Sequence, residues 1–516
     1  WLRLPPLALS RFGREQGAQG LVTAQMTSRC PLTSTSNLKE GLLKGRSRAY
    51  DKGQQARRMR QPQPGATGSA TGSPATSTTS SGEGLTVFDG VAIIAGTSIG
   101  GGFLALPSLT TPMGFLPATT GLFVSWAFLA LTALAYAEAT LRSIVKQNAA
   151  RATDPGLTEA AVDEPPECSV LTVTRCSLGG GCSMLCSAAF ATLMFVVMTA
   201  QVVKAGEILS VLSGMPYVMG CAIPSVAIGL FSFCACTRVV EQVNTLLTVA
   251  LVGGFVALIF TTVVGSAGGT TLAAVAQRLA FADWTWLQPS GPAWALPVFI
   301  NLISFGQTVP VVVARFGVER ARDIQTSILL GSFIPFVLCA TWAAVSAALL
   351  DPSGGKASAS DPVLRMLAGR LGVAVPVGLV AVGAIGTSLV ANYLSLGQFV
   401  TDGIFALRGR CTLRAKRIAR IAVVVLPLFL ACGGPELYIP LLAFAGAYPT
   451  NFLFGLIPCL AAITLRWAQR GRKNRPWQGS RDLQLVPGGL PTLLLLSFLA
   501  VTLIALSGAI SLRSSS

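Results

Sequence analysis

Apolar runs long enough to cross a bilayer recur along most of this chain. A hydrocarbon core about 30 Å thick needs roughly 20 apolar residues per helix. The sequence therefore predicts an all-α membrane protein with about 11 transmembrane helices, of which the ninth is the shortest. The predicted spans are 88–106, 115–136, 186–209, 218–235, 243–264, 293–313, 328–349, 376–404, 418–432, 437–464 and 490–510.

The charges of the loops support this number of spans independently. With the N-terminus inside, the predicted inner loops after the first span hold 20 Lys/Arg residues, and the outer segments hold 5. Cytoplasmic loops carry the excess of basic residues, so a missed or an extra helix would disturb this alternation. The strongest inner anchor lies between the eighth and ninth spans and consists of Arg408, Arg410, Arg414, Lys416, Arg417 and Arg420.

The composition excludes several classes of protein. Only 11% of the residues are charged, against about 25% in a soluble domain, so most of the surface faces lipid. Lys and Arg outnumber Asp and Glu by 38 to 21, but they lie between apolar runs and form no single patch for nucleic acid. The chain has no histidine, no G-x-S-x-G and no nucleotide-binding G-x-x-x-x-G-K-[ST] loop. We therefore expect neither an enzyme nor an ATP-driven pump, and no metal or cofactor.

Residues 1–84 differ from the rest of the chain, and we expect a transmembrane domain to follow them at 85–512. This first segment is basic and rich in Ser, Thr, Gly and Pro, and has no run long enough to span. Such a segment cannot bury a core, which predicts disorder. Its arginine- and serine-rich, acid-poor composition is also typical of a transit peptide, which would place the protein in a plastid envelope. An ordinary cytosolic tail is the alternative, with the plasma membrane or another cellular membrane as the location.

The first span contains an unusual load of glycine in its middle. Gly96, Gly100, Gly101 and Gly102 fall within seven residues, and each costs about 1 kcal/mol in a helix interior. A break at this point frees backbone groups, which are tolerated at membrane depth only where they line a cavity or bind a ligand. We expect Gly101 in particular to need a positive φ, which a β-branched residue cannot adopt. Close packing between helices is the alternative use of these glycines.

The sixth span is interrupted in a corresponding way by Pro297, Gly306 and Pro310. Breaks five spans apart predict a 5+5 inverted repeat with one appended helix, and paired breaks of this kind point to a transport site. We expect backbone N–H groups of the first break to bind a substrate carboxylate, and carbonyls near both breaks to accept from its amino group. The predicted substrate-binding residues are Gly96, Thr97, Ser98, Gly100, Gly101, Gly102, Ser304, Phe305, Gly306 and Gln307.

Several of these stretches resemble the aromatic amino acid permease (tryptophan/tyrosine permease) family of the amino acid–polyamine–cation superfamily. The first span reads AGTSIGGGFLALP and the eighth reads GTSLVANYLSLGQFVTDGI, both close to motifs of that family. The third contains MTAQVVKAGEIL, and the sixth contains LPVF followed by VPVVV. The resemblance implies eleven spans, a leucine-transporter-type fold, and proton-coupled uptake of tryptophan, tyrosine or phenylalanine. This chain departs from the family pattern in two ways: it has no histidine near the sixth break, and Gln398 replaces an acid, although Asp402 is kept.

The coupling ion has several candidate ligands, because intramembrane charges are costly and usually functional. Glu138 lies at the inner end of the second span, from which it can also snorkel to the interface. Glu207 lies three residues after Lys204 on one helix face, which favours a structural ion pair, with ion coupling as the alternative. The candidates are Glu138, Glu207, Thr387, Ser388 and Asp402.

The sequence thus predicts a secondary transporter that imports an amino acid, expected to be an aromatic one, together with a proton or, alternatively, a sodium ion. Its partners are then the substrate, the coupling ion and the lipid bilayer, with no nucleic acid. A transporter of another neutral amino acid or of an amine is one alternative. A non-transporting membrane sensor with the same fold is another. A channel would repeat polar or charged rings along a pore, and none is visible in the sequence.

Overall fold

The computed structural model describes residues 85–98, 100–151, 169–266, 272–291, 294–350, 361–408, 412–470 and 483–515. The segment predicted to be disordered, residues 1–84, lies outside them. Every regular element of the described residues is helical. In chain order the α-helices are α1 Val87–Ser98, α2 Leu106–Met113, α3 Phe115–Arg151, α4 Val170–Leu178, α5 Gly180–Ser213, α6 Tyr217–Cys234, α7 Thr237–Ser266, α8 Leu272–Ala280, α9 Leu296–Leu302, α10 Val309–Phe316, α11 Ala321–Leu349, α12 Pro362–Leu367, α13 Leu371–Arg408, α14 Leu413–Ala431, α15 Tyr438–Ala445, α16 Ile457–Arg470 and α17 Gly489–Ser515.

The predicted helical membrane fold is confirmed, whereas the total of eleven spans is not. Nine helical segments of the described chain are long and apolar enough to cross a membrane, and the bent pair α1 and α2 makes a tenth. The remaining predicted span, the ninth, is the helix α14, which is not among them. Its first turns carry Arg414, Lys416, Arg417 and Arg420, which leave a short apolar stretch behind them.

Large apolar side chains cover the outside of the helical bundle. Leu246 on α7 is 67% exposed, Phe260 on the same helix 66%, and Phe498 on α17 69%. An exposed apolar surface of this extent is unstable in water and suits a hydrocarbon environment. The interior is also apolar, and most of its polar side chains carry hydroxyls. Many of these hydroxyls donate to carbonyls of their own helices, as Thr199 does to Phe195.

The two broken spans lie inside this bundle. Helix α1 packs along α11, and α13 packs along α7 on the other side of the site. Glycine makes the first contact close, because a methyl group built on Gly331 would lie 2.8 Å from Cβ of Ile94. Gly90 on α1 lies against Ser327 on α11 in the same way. Close packing between helices is therefore a real use of glycine in this protein.

The tenth predicted span contains a wide π-helical stretch, Gly446–Leu456, between α15 and α16. Pro449 lies inside it and lacks an N–H group, which favours a departure from regular α-helical bonding. Gly446 allows the carbonyl of Pro297 on α9 to approach its Cα closely. The stretch presents Thr450 and Phe454 to the site, and π-helical turns are frequent at functional sites.

Candidate functional site

The first span is interrupted where its glycines predict. Helix α1 ends at Ser98, Gly100 is extended with φ −138° and ψ −176°, and a 3₁₀ turn at Gly101–Ala105 leads into α2. The two helices are bent by 51°. Neither Gly101 nor its glycine neighbours are among the residues with positive φ. The expectation that Gly101 needs a left-handed conformation is therefore wrong, and glycine is needed at this position for another reason.

The reason is a side chain from the third span, which packs against Gly101. A methyl group built on Gly101 would overlap the carboxamide of Gln201 on α5. Only glycine lets this amide lie directly against the broken backbone. Gly102 is different, because a methyl group there would meet no heavy atom within 4 Å.

The sixth span is also broken as predicted. Helix α9 ends at Leu302, a 3₁₀ turn at Gly306–Thr308 follows, and α10 begins at Val309. Pro297 and Pro310 lie in the first turns of the two half-helices, where the missing N–H costs no intrahelical bond. Oγ1 of Thr97 and Oγ1 of Thr308 are 3.4 Å apart, so the two breaks adjoin. Adjoining breaks in the first and sixth spans agree with the predicted 5+5 repeat.

Three other helices bind to the first break. The N–H of Gly101 donates to Oγ of Ser388 on α13 at 2.7 Å, and the hydroxyl of Tyr438 on α15 donates to the Gly101 carbonyl at 2.9 Å. Nε1 of Trp342 on α11 donates to the carbonyl of Phe103 at 3.0 Å. The N–H and the carbonyl of Gly101 are thus each bonded to a side chain, so its N–H is not available to a ligand.

A cavity of about 720 Å³ lies between the two breaks. Side chains from α5, α7, α13 and the tenth span complete its wall. Most of the predicted substrate-binding residues line it, namely Gly96, Thr97, Ser98, Gly100, Gly101, Gly102, Ser304 and Gln307.

Phe305 and Gly306, which were also predicted to bind substrate, do not line the cavity. Phe305 is only 1% exposed. A methyl group on Gly306 would lie 2.5 Å from the ring of Phe454, so this glycine allows a close contact with the π-helical stretch. Among the residues that the structure describes, the aromatic rings in the cavity lining are those of Phe88 and Phe454.

The cavity opens toward the predicted inner face. Its lining reaches Phe88, which is 78% exposed at the start of α1, and also Ala235 and Thr237, where α6 leads into α7. A polar cluster around Lys204 lies one turn beyond Gln201 along α5 and is not part of the cavity lining.

Lys204 on α5 is fully buried and is shared by two carboxylates. Its Nζ lies 2.8 Å from Oε2 of Glu207 and 2.9 Å from Oδ2 of Asp361, and 5.1 Å from the centre of the Tyr438 ring. Asp361 caps the short helix α12 and accepts from Oγ of Ser108 on α2 at 2.9 Å. The predicted pair of Lys204 and Glu207 is thus present, and Asp361 joins it. Together these side chains link α2, α5, the start of α12 and α15. We call this cluster the outer latch (Ser108, Lys204, Glu207, Asp361 and Tyr438).

Glu138, another predicted coupling residue, lies in a second buried ion cluster away from the cavity. Its carboxylate accepts two hydrogen bonds of 2.6 Å from Arg466 on α16 and one of 3.0 Å from Arg142 on α3. The N–H of Leu485 donates to it at 3.3 Å. The side chain does not snorkel to the interface, and its contacts are those of a structural tie between α3, α16 and the segment before α17.

The remaining coupling candidates lie on α13. Thr387 and Ser388 line the cavity, whereas Asp402, four turns further on, does not. Thr387 donates to the carbonyl of Gly383 on its own helix at 2.8 Å. The structure therefore brings the Ser388 hydroxyl, and not that of Thr387, into contact with the first break.

Two cavity-lining residues, Gln201 and Glu241, were not singled out from the sequence. Gln201 is 1% exposed, and Glu241 on α7 is the one ionisable residue among the cavity lining of the described chain. A polar amide in the middle of the apolar run FATLMFVVMTAQVV was a visible signal for Gln201. Glu241 gave no such signal, because its position near a helix end is also that of an ordinary interfacial residue.

The comparison with known families decides the identity. A family model for the tryptophan/tyrosine permease family matches residues 84–506. The chain belongs to this family. Membership makes it an integral membrane amino acid transporter and not an enzyme.

Individual relatives are more distant. The tryptophan-specific transport protein of Haemophilus influenzae is 24% identical over 397 residues, which are 73% of this chain and 87% of that protein. Among solved structures, the chain is similar to inward-facing Mhp1, with a TM-score of 0.49 and 13% identity over 83% of this chain and 91% of that one. It is also similar to MhsT in complex with L-phenylalanine, with a TM-score of 0.47 and 14% identity over 79% of this chain and 98% of that one.

Proposed function

We propose that this permease imports an aromatic amino acid, tryptophan or tyrosine, in symport with a proton. Family membership and the tryptophan-specific bacterial relative support the substrate class. The observation that carries the proposal is the cavity between the two breaks. Its volume of about 720 Å³ falls within the range of roughly 300–1,000 Å³ typical of small-molecule sites.

The lining suits an amphipathic amino acid. Apolar residues such as Leu193, Met194 and Phe454 form part of the wall, and Asn301, Ser304 and hydroxyl groups supply polar atoms. Binding sites of this kind combine an apolar wall with a few placed polar groups. An aromatic side chain would lie against the apolar part, with the charged head group at the breaks.

The head group has a defined place in this proposal. The carboxylate lies at the start of the 3₁₀ turn beside Gly102, where open space adjoins the positive end of the half-helix that follows. The amino group lies near the carbonyls of the sixth break, between Ser304 and Gln307. Gly101 contributes shape and not a donor, because its N–H is taken by Ser388.

Uptake into proteoliposomes tests the proposed function. Purified protein is reconstituted, and labelled tryptophan, tyrosine, phenylalanine and alanine are offered while proton and sodium gradients are imposed separately. We expect aromatic uptake that is driven by the proton gradient. Uptake driven by sodium alone would contradict proton symport, uptake of alanine in preference to aromatics would contradict the substrate class, and no uptake would favour a sensor.

For the coupling group, we propose Glu241 beside the candidates from the sequence, because it is the ionisable residue that the cavity presents to a substrate. Glu241→Gln is expected to abolish gradient-driven accumulation and to retain exchange of labelled for unlabelled substrate. Glu319→Gln, at an exposed glutamate outside the cavity, is the matched control. If Glu207→Gln gives this phenotype and Glu241→Gln does not, coupling belongs to the outer latch.

We further propose the plastid envelope as the membrane, on the composition of residues 1–84. A fluorescent protein carrying this segment at its N-terminus should enter plastids in plant cells. Retention in the cytosol would contradict the transit peptide and favour an ordinary cytosolic tail.

A further inference from the structure

Gln201 has an unusual position on α5. It is 1% exposed, it lines the cavity, and both its Oε1 and its Nε2 lack a hydrogen-bond partner. Within the described residues it is the one buried side chain in which two polar atoms are left without a partner. The neighbouring buried hydroxyl of Thr199, on the same helix, donates to Phe195 at 2.8 Å.

A buried amide in this state is unfavourable without a ligand. Most buried polar groups in folded proteins are paired, and an unpaired one requires a specific explanation. The amide of Gln201 has no partner on its own helix, unlike the hydroxyl of Thr199, which donates to a carbonyl of α5. The amide lies against the irregular backbone of Gly101, whose N–H donates to Ser388 and whose carbonyl accepts from Tyr438.

The contact with Gly101 fixes where the amide lies. Because a methyl group at Gly101 would overlap Oε1 of Gln201, the carboxamide lies against the first break. It therefore places a donor and an acceptor without partners beside the main chain of Gly101, whose N–H and carbonyl each have a partner. The neighbouring residue, Gly102, is open to the cavity.

We propose that Gln201 contacts the charged head group of the transported amino acid and makes the site specific for that head group. This proposal rests on the proposed function. Its Nε2 donates to the carboxylate, and its Oε1 accepts from the ammonium group. A carboxamide suits this zwitterion because it offers donor and acceptor side by side. The interaction is common to all amino acids, so it selects for the head group and not for the aromatic side chain.

The test compares Gln201→Leu with Thr199→Val, a buried variant on the same helix that does not line the cavity. Uptake of labelled tryptophan is measured with tryptamine, which lacks the carboxylate, and indole-3-propionate, which lacks the amine, as competitors. We expect Gln201→Leu to weaken tryptophan and tyrosine equally, by about 10- to 100-fold, the range of a hydrogen bond to a charged group. In Gln201→Leu the preference for tryptophan over both analogues should fall, whereas Thr199→Val should keep the wild-type preference.

Thermal stability separates this role from a structural one. Without substrate, Gln201→Leu should unfold at the same temperature as the wild type or higher, since leucine removes an unpaired buried amide. The rise in unfolding temperature that tryptophan causes in the wild type should be lost. A lower stability without substrate, together with unchanged tryptophan affinity and unchanged discrimination, would overturn the proposal. A wild type that neither binds nor transports any amino acid would instead refute the proposed function.

Discussion

Replacement of Lys204 by methionine should destabilise the protein far more than replacement of its neighbour Glu207 by glutamine. Lys204 is fully buried and is the cation that the outer latch places between two carboxylates, which are 15% and 14% exposed. Lys204→Met leaves both Glu207 and Asp361 without it. Removing one partner of a buried ion pair costs about 3–5 kcal/mol, because the other charge stays buried.

Glu207→Gln should lower the free energy of unfolding by less. The 2.9 Å pair of Lys204 and Asp361 persists, and the new amide oxygen can still accept from Lys204. We therefore expect a loss of about 1 kcal/mol, the net value of an ordinary hydrogen bond. The difference between the two variants follows from Asp361, since a pair of Lys204 and Glu207 alone would make the two substitutions similarly costly.

Thermal unfolding of purified protein in detergent measures this difference. Lys416→Met, at an exposed position on α14, is the matched control for the loss of a lysine charge. The expected order of unfolding temperature is wild type and Lys416→Met highest, Glu207→Gln slightly lower and Lys204→Met lowest. Equal unfolding temperatures for Lys204→Met and Glu207→Gln would refute the shared-lysine arrangement.

Three further predictions follow from the buried clusters and the helix count. Glu138→Gln should cost about 3–5 kcal/mol of stability, since it removes the buried anion that Arg142 and Arg466 share. Thermal unfolding should show this loss, with unchanged KM for tryptophan, and a changed KM would contradict a purely structural tie. Phe305→Ala should lower the stability by a similar amount, because it leaves a void in the core, and should not change the tryptophan-to-alanine uptake ratio. A selective loss of aromatic uptake would instead indicate that Phe305 contacts the substrate. A tag after Ser516 should be labelled from outside if α14 spans the membrane, and labelling from inside would refute the odd number of spans.

The sequence predicted features that depend on local chemistry. Helical spans follow from runs of apolar residues, and the breaks follow from glycine and proline, whose effects on the backbone act within a few residues. The pair of Lys204 and Glu207 was predictable because residues three apart share a helix face. The positions of Pro297 and Pro310 at the starts of half-helices agree with the same local reasoning.

Long-range partners were not predictable in this way. The sequence does not indicate that Asp361 reaches Lys204, or that Arg466 reaches Glu138 from 328 residues away. The sequence also does not indicate why position 101 needs glycine, since the reason is the close contact with Gln201 from another helix. Phe305 was placed in the site because it lies beside a break, yet the side-chain direction there depends on tertiary packing.

Uptake by a Gly102→Val variant tests most directly the claim that the cavity between the breaks is the transport site. Gly102 has open space around it and no positive φ, so valine fills the cavity without backbone strain. Gly253→Val is the matched control, because Gly253 also has nothing within 4 Å but lies outside the cavity lining. With equal amounts of inserted protein, we expect Gly102→Val to weaken labelled tryptophan uptake by about tenfold or more, and Gly253→Val to match the wild type. Wild-type affinity and rate in Gly102→Val would contradict the account, because the substrate would then bind somewhere other than the first break.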